Sequence, residues 1–249
     1  MDRTHPDRRT PPEYHIVTLS VRPLAATALS VALLVALGAC GTSEGTAERS
    51  EGADPKTREL IEKANAAMEE TTFHSTGTTT AFADATQETT YDPDKGLRTV
   101  ASGAVSGEMY CKDGRNYLSA ELLAASLEQT GQAVDVPDEL ADVFVYADTG
   151  QECSALFTIA DTGRLAPEKD TEVNGTPTTA IEVTGEGSSD TYYVAASGTP
   201  YLLRLDAARG DQESTTTFGE FGEPTDVTLP EESRTMPLEE FRQETGQRP

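Results

Sequence analysis

The sequence has no tryptophan, and only three histidines and three cysteines among its 249 residues. Most metal centres and nucleophilic sites therefore lack their raw material. Cations are scarce too: 19 Lys and Arg stand against 43 Asp and Glu, a formal net charge of -24. Nucleic-acid binding is excluded, because releasing counterions from a phosphate backbone needs clustered Lys and Arg. No phosphate-cradling loop or dinucleotide fingerprint occurs. Apolar residues make up 36% of the chain, enough for a modest core and above the composition of a disordered polymer.

Long apolar runs are also missing, with one exception. Residues 24–37 are interrupted only by Thr27 and Ser30 and follow a leader carrying Arg3, Arg8, Arg9 and Arg22. As a helix these fourteen residues reach about 21 Å, short of the roughly 30 Å hydrocarbon core, so the pattern is an export signal rather than a permanent span. The leader is long, and Val17 and Val21 are alternative translation starts. Leu37-Gly38-Ala39-Cys40 closes the run and resembles a bacterial lipobox. That resemblance implies a signal peptide over residues 1–39, a diacylglyceryl group on the Cys40 thiol, and cleavage that leaves Cys40 as the new amino terminus.

Beyond residue 40 the chain keeps 15 basic and 40 acidic residues, so anionic bilayers repel it and the lipid must supply the anchor. Residues 40–54 form a tether of Gly, Ser, Thr, Ala and Glu with nothing to bury. Gly41-Thr42-Ser43-Glu44-Gly45 matches G-x-S-x-G within it, but a nucleophile elbow needs a strand before and a helix after, and neither pattern is there. With Cys40 assigned to lipid, Cys111 and Cys153 are an even remainder in an exported chain. A disulfide worth about 4 kcal/mol is the leading reading, and two separate buried thiols the other.

The body opens with Asp54 as a helix cap and Pro55 at the first helical position. Leu60, Ile61, Ala64, Ala67 and Met68 then make one apolar stripe to about Glu70. From Thr72 the rhythm is β. Residues 72–82 and 87–91 are candidate strands, and Asp92-Pro93-Asp94-Lys95-Gly96 is a turn, since the later ligands of a calcium loop are missing. Asp113-Gly114 joins a hairpin of residues 108–112 and 115–118. Three amphipathic helices are expected next: one with Leu122, Leu123 and Leu127; one from Pro137 with Leu140, Val143 and Phe144; and a short one with Leu156, Phe157 and Ile159. Strands return at residues 171–173 and 178–184 around Asn174-Gly175, then at 191–196, 201–206, 213–218 and 226–229. Tyr201, Leu203 and Leu205 alternate with Leu202, Arg204 and Asp206, as a half-buried antiparallel strand requires. Residues 231–249 form an acidic tail with a short helix over 238–241.

Residues 60–77 (LIEKANAAMEETTFHSTG), 172–177 (EVNGTP), 192–205 (YYVAASGTPYLLRL) and 217–224 (TFGEFGEP) resemble, in segment order, the LppX and LprG group of actinobacterial lipoproteins, which shares its architecture with the periplasmic carrier LolA. The likeness spans most of residues 55–230. It implies an α+β fold, a strongly curved antiparallel sheet forming an incomplete barrel, with helices packed on its concave face over an apolar cavity for a lipid or glycolipid. The absence of Trp and the Thr-rich, acidic body depart from that group. Leu122, Leu123, Leu127, Leu140, Val143 and Phe144 are the candidate lining.

No enzymatic step and no cofactor or metal is expected. His74 would be the only histidine after processing, and it sits in a strand pattern. The expected function is that of an extracytoplasmic lipoprotein, anchored in the cell membrane, that binds or carries an amphiphile. The alternative is a structural or regulatory envelope lipoprotein with a filled core that docks an unidentified protein.

Overall fold

The computed structural model describes residues 54–247. The signal segment, Cys40 and most of the tether lie outside the described residues. Helix α1 (Pro55–Glu69) starts as its sequence dictates: the Asp54 carboxylate accepts from the backbone amides of Lys56 and Thr57. It buries Ile61, Ala64 and Met68 against the sheet. The strands are β1 (Phe73–Thr78), β2 (Ala85–Asp92), β3 (Gly96–Gly103), β4 (Gly107–Lys112), β5 (Arg115–Ser119), β6 (Phe144–Asp148), β7 (Arg164–Leu165), β8 (Glu172–Val173), β9 (Thr176–Gly185), β10 (Ser188–Ala195), β11 (Leu202–Arg209), β12 (Gln212–Gly219) and β13 (Thr235–Pro237). Two further helices are α2 (Ala120–Gln129) and α3 (Leu238–Glu244).

One open sheet runs β13-β6-β5-β4-β3-β2-β1-β12-β11-β10-β9-β7, with β8 paired beside it on β9. Every neighbouring pair is antiparallel except β13 on β6. Two hairpins follow from turn chemistry. Asp113 and Gly114 have φ of 50° and 75°, and Asn174 and Gly175 have 51° and 80°, the left-handed pair that a two-residue turn matching strand twist demands.

The sheet is strongly curved. Met109 of β4 and Leu205 of β11 are five strand positions apart, roughly 24 Å on a flat sheet, yet both line one small hollow. Close backbone approach at Gly77 permits the bend: a Cβ there would lie 2.1 Å from the Thr215 carbonyl oxygen of β12. The main core fills the concave side, with Phe73, Leu97, Tyr192, Ile181 and Leu202 meeting α1. The convex side carries ion pairs: across strands, Arg98 bonds Glu108 at 3.1 Å and Arg115 bonds Asp148 at 2.6 Å, and along β11 Arg204 pairs with Asp206.

Several expectations need correction. Residues 138–140 form a single 3-10 turn, and Phe144 begins β6 instead of continuing a helix. Short hydrophobic clusters do not distinguish a buried strand from a helix, and pairing with β5 decided here. The third expected helix is also only a 3-10 turn, Cys153–Leu156. Strand β3 is additional to the expected strands, since its residues carry little β pattern of their own and are held between β2 and β4. Residues 226–229 are irregular chain with Val227 buried. In β11 a bulge breaks the alternation, so Leu202 and Leu205 both enter the main core.

The fold also continues past residue 230. Strand β13 extends the sheet, and α3 drives Phe241, 0% exposed, into a second core with Ala120, Leu140 and Val145. Residues 232–244, expected as part of an acidic tail, thus carry a 3-10 turn, a strand and a helix. All these elements, both cores and the Cys111–Cys153 disulfide lie within residues 55–244.

Candidate functional site

The concave face changes chemistry rung by rung. Phe73, Tyr91, Leu97 and Cys111 stand opposite one another across β1 to β4, an apolar rung beneath α1. Two residues along each strand, Phe218, Ser75, Thr89, Thr99 and Met109 form the next rung. Beyond it come Thr216, Gly77, Gln87, Ala101 and Gly107. Large rings thus give way to hydroxyls and then to small residues, and the space they do not fill becomes a cavity of about 140 Å³.

A strap covers it. Residues 153–159 cross the concave side and are held at both ends. Cys153 is bonded to Cys111 of β4, with Cα atoms 5.6 Å apart. At the other end, the Asn65 side chain of α1 donates to the Ile159 carbonyl and accepts from the Ile159 amide, both at 2.9 Å. Between these ties Phe157 packs edge-on against Phe73, centroids 5.1 Å apart, and against Tyr91 at 4.9 Å. Leu156 lines the cavity and is 53% exposed at its mouth.

No ionisable side chain lines the hollow. Its volume compares with the roughly 150 Å³ cavity that admits benzene and is smaller than the roughly 300–1,000 Å³ of drug-sized pockets, so it suits the end of a chain or one small ring. Two other depressions are polar. One of about 230 Å³ adjoins the disulfide, with Glu69, Lys112, Asp113 and Glu152 on its walls. Beside it Tyr91 donates to the Glu69 carbonyl at 3.2 Å, and burial pushes its phenol up. The other is a trough over β10 to β12 beside Asp206 and Glu213.

None of the six residues expected to line the cavity does so. Leu140 is buried in the second core, where Leu123, Leu127 and Val143 pack around it. Leu122 is buried over β4, where the missing Cβ of Gly107 would come within 2.7 Å of it. Phe144 sits on the convex side, 5.5 Å from the Tyr110 ring and 5.5 Å from the Arg234 guanidinium. Helix α2 packs over β4 to β6, away from the hollow, so its leucines fill space rather than leave it. His74 pairs with Thr90 and Gly219 on the convex face. Cys40 lies outside the described residues, whereas Cys111 and Cys153 are joined. The residues that build the cavity are legible in the sequence only as members of strands; the 73, 75, 77 alternation hints at one face, but which strands meet needs the register.

No family model and no curated protein matches the chain. Solved structures are similar in chain path. LprF from Mycobacterium bovis is 13% identical, over 72% of this chain and 99% of that one, with a TM-score of 0.42. The Mycobacterium tuberculosis lipoprotein LppX is 13% identical, over 70% and 100%, with a TM-score of 0.42. An uncharacterized conserved protein from Thermus thermophilus is 10% identical, over 73% and 99%, with a TM-score of 0.48. Among the described residues no helix is long and apolar enough to cross a membrane.

Proposed function

We propose that the protein is an exported lipoprotein, anchored through Cys40 on the extracytoplasmic face of the membrane, that holds the apolar part of an amphiphile in the concave cavity without a chemical step. The observation that carries this reading is Leu156, a large hydrophobic side chain left half exposed on a hollow that Phe73, Leu97, Phe157 and Phe218 also line. An exposed leucine alone means little; one that lines a cavity offers a sliding contact for an incoming chain. Each methylene moved out of water contributes about 0.8 kcal/mol, and the rest of the ligand stays at the wet mouth.

The test is native mass spectrometry of the protein from Gly41 onward expressed in a lipid-containing host, with titration of the uncharged fluorophore N-phenyl-1-naphthylamine. Retained amphiphile or saturable probe binding supports the reading, and Thr99→Phe, which fills the hollow, should reduce it at least tenfold without lowering Tm. A body that neither retains nor accepts any such molecule overturns it.

A further inference from the structure

Apolar walls are only half of this cavity. Its other half is Ser75, Gln87, Thr89, Thr99 and Thr216, contributed by four adjacent strands on one face. Thr89 and Thr99 share a hydrogen bond of 2.9 Å, and the Gln87 amide reaches Thr216 only at 3.4 Å. Ser75 is 3% exposed and lines the hollow, and the described residues offer its side chain no hydrogen-bond partner. A saturated hydrocarbon laid over this floor would displace water and strand these groups, at a cost of about 1–3 kcal/mol for each one left unpaired. A hydroxyl or ester carbonyl would satisfy them.

Charge narrows the ligand further. With no cation among the lining residues, nothing compensates the desolvation of a carboxylate or phosphate. The strongly acidic body repels such anions before they arrive. Resting on the binding function proposed above, we infer that this cavity selects an uncharged, oxygen-bearing amphiphile, a long-chain alcohol or the ester end of a neutral lipid, over free fatty acids and plain alkanes, with Ser75 and Gln87 as the specificity-determining residues. Sites that hydrogen-bond a ligand hydroxyl discriminate strongly against analogues without one, because the site's own polar groups are then left bare.

The protein from Gly41 onward, without the leader and lipid, can be assayed by displacement of N-phenyl-1-naphthylamine with 1-octanol, octanoate and octane at pH 7.5. Octanol is expected to bind at least tenfold more tightly than octanoate. The Ser75→Ala/Gln87→Leu variant is expected to weaken octanol about tenfold while leaving octane unchanged or tighter. Octanoate binding as well as octanol, or a variant that loses octanol and octane equally, overturns the selectivity while keeping the binding function. Octanol affinity unchanged in a variant of unaltered Tm overturns it likewise. A wild-type body that binds none of the probes overturns both.

Discussion

Removing the Cys111–Cys153 disulfide tests stability and site together. The bonded residues are 42 apart in sequence, and a closed loop of that length restrains the unfolded chain by about 4 kcal/mol at 25 °C. Both sulfurs are buried, with their residues 2% and 8% exposed, so alanine is the better replacement; serine would add a buried hydroxyl. For a domain of this size each kcal/mol moves Tm by about 2–4 °C, so Cys111→Ala/Cys153→Ala should lower it by about 8–16 °C. The second consequence is local. Without the bond the strap over the cavity keeps the Asn65 tie at Ile159, and its other end is next held only at Thr149 and Gly150, whose amides donate to the Gly114 carbonyl, so Leu156 and Phe157 lie on a longer, looser span. Probe affinity at 20 °C, well below Tm, should therefore fall severalfold in the double variant and in the reduced wild type alike. Circular dichroism melting and probe titration read the two effects separately. A Tm shift below about 3 °C would refute the loop-entropy reasoning, and unchanged probe affinity would refute the role of the strap.

Two further outcomes are expected. Burial pushes Asp92 up, but hydrogen bonds from Thr225, from the Lys95 side chain and from the backbone amides of Asp94 and Lys95 outweigh it, so its carboxyl titrates below the ordinary range. Its contribution is present above the unfolded value of about 3.9 and is lost as pH falls through the lower folded value. Asp92→Asn should cost about 2 kcal/mol at pH 7 and progressively less as pH falls below the unfolded value, read from urea midpoints across that range; a cost that does not change with pH would remove the charge from the account. Phe241→Ala should cost about 3–5 kcal/mol by chemical denaturation, and a loss below 1 kcal/mol would mean that α3 is not part of the folded unit.

Local signals carry much of the fold. The α1 cap, the two left-handed hairpin turns and the succession of strands β9 to β12 all depend on residues adjacent in the chain, and they stand where turn chemistry and propensity put them. Long-range partners are a different matter. Phe144 lies in a cluster with helical spacing but pairs with Ser119 of β5. Thr235–Pro237 is too short to announce itself and became a strand only because β6 offered an edge. The cavity residues are hidden for the same reason: Ser75, Thr89, Thr99 and Met109 are unremarkable in sequence and become one rung through three successive registers.

The sequence alone set the acidic charge, the likeness of residues 37–40 to a lipobox, the pairing candidates Cys111 and Cys153, and the succession of helix and hairpins, because each rests on composition or on neighbours a few residues apart. Only the tertiary structure decided that Leu122 to Phe144 would fill a second core or face outward, and that an empty place would remain beside Phe73 and Leu97 instead. Where side chains leave space depends on how far the sheet bends and where each helix comes to rest, and both are set by contacts between residues far apart in the chain.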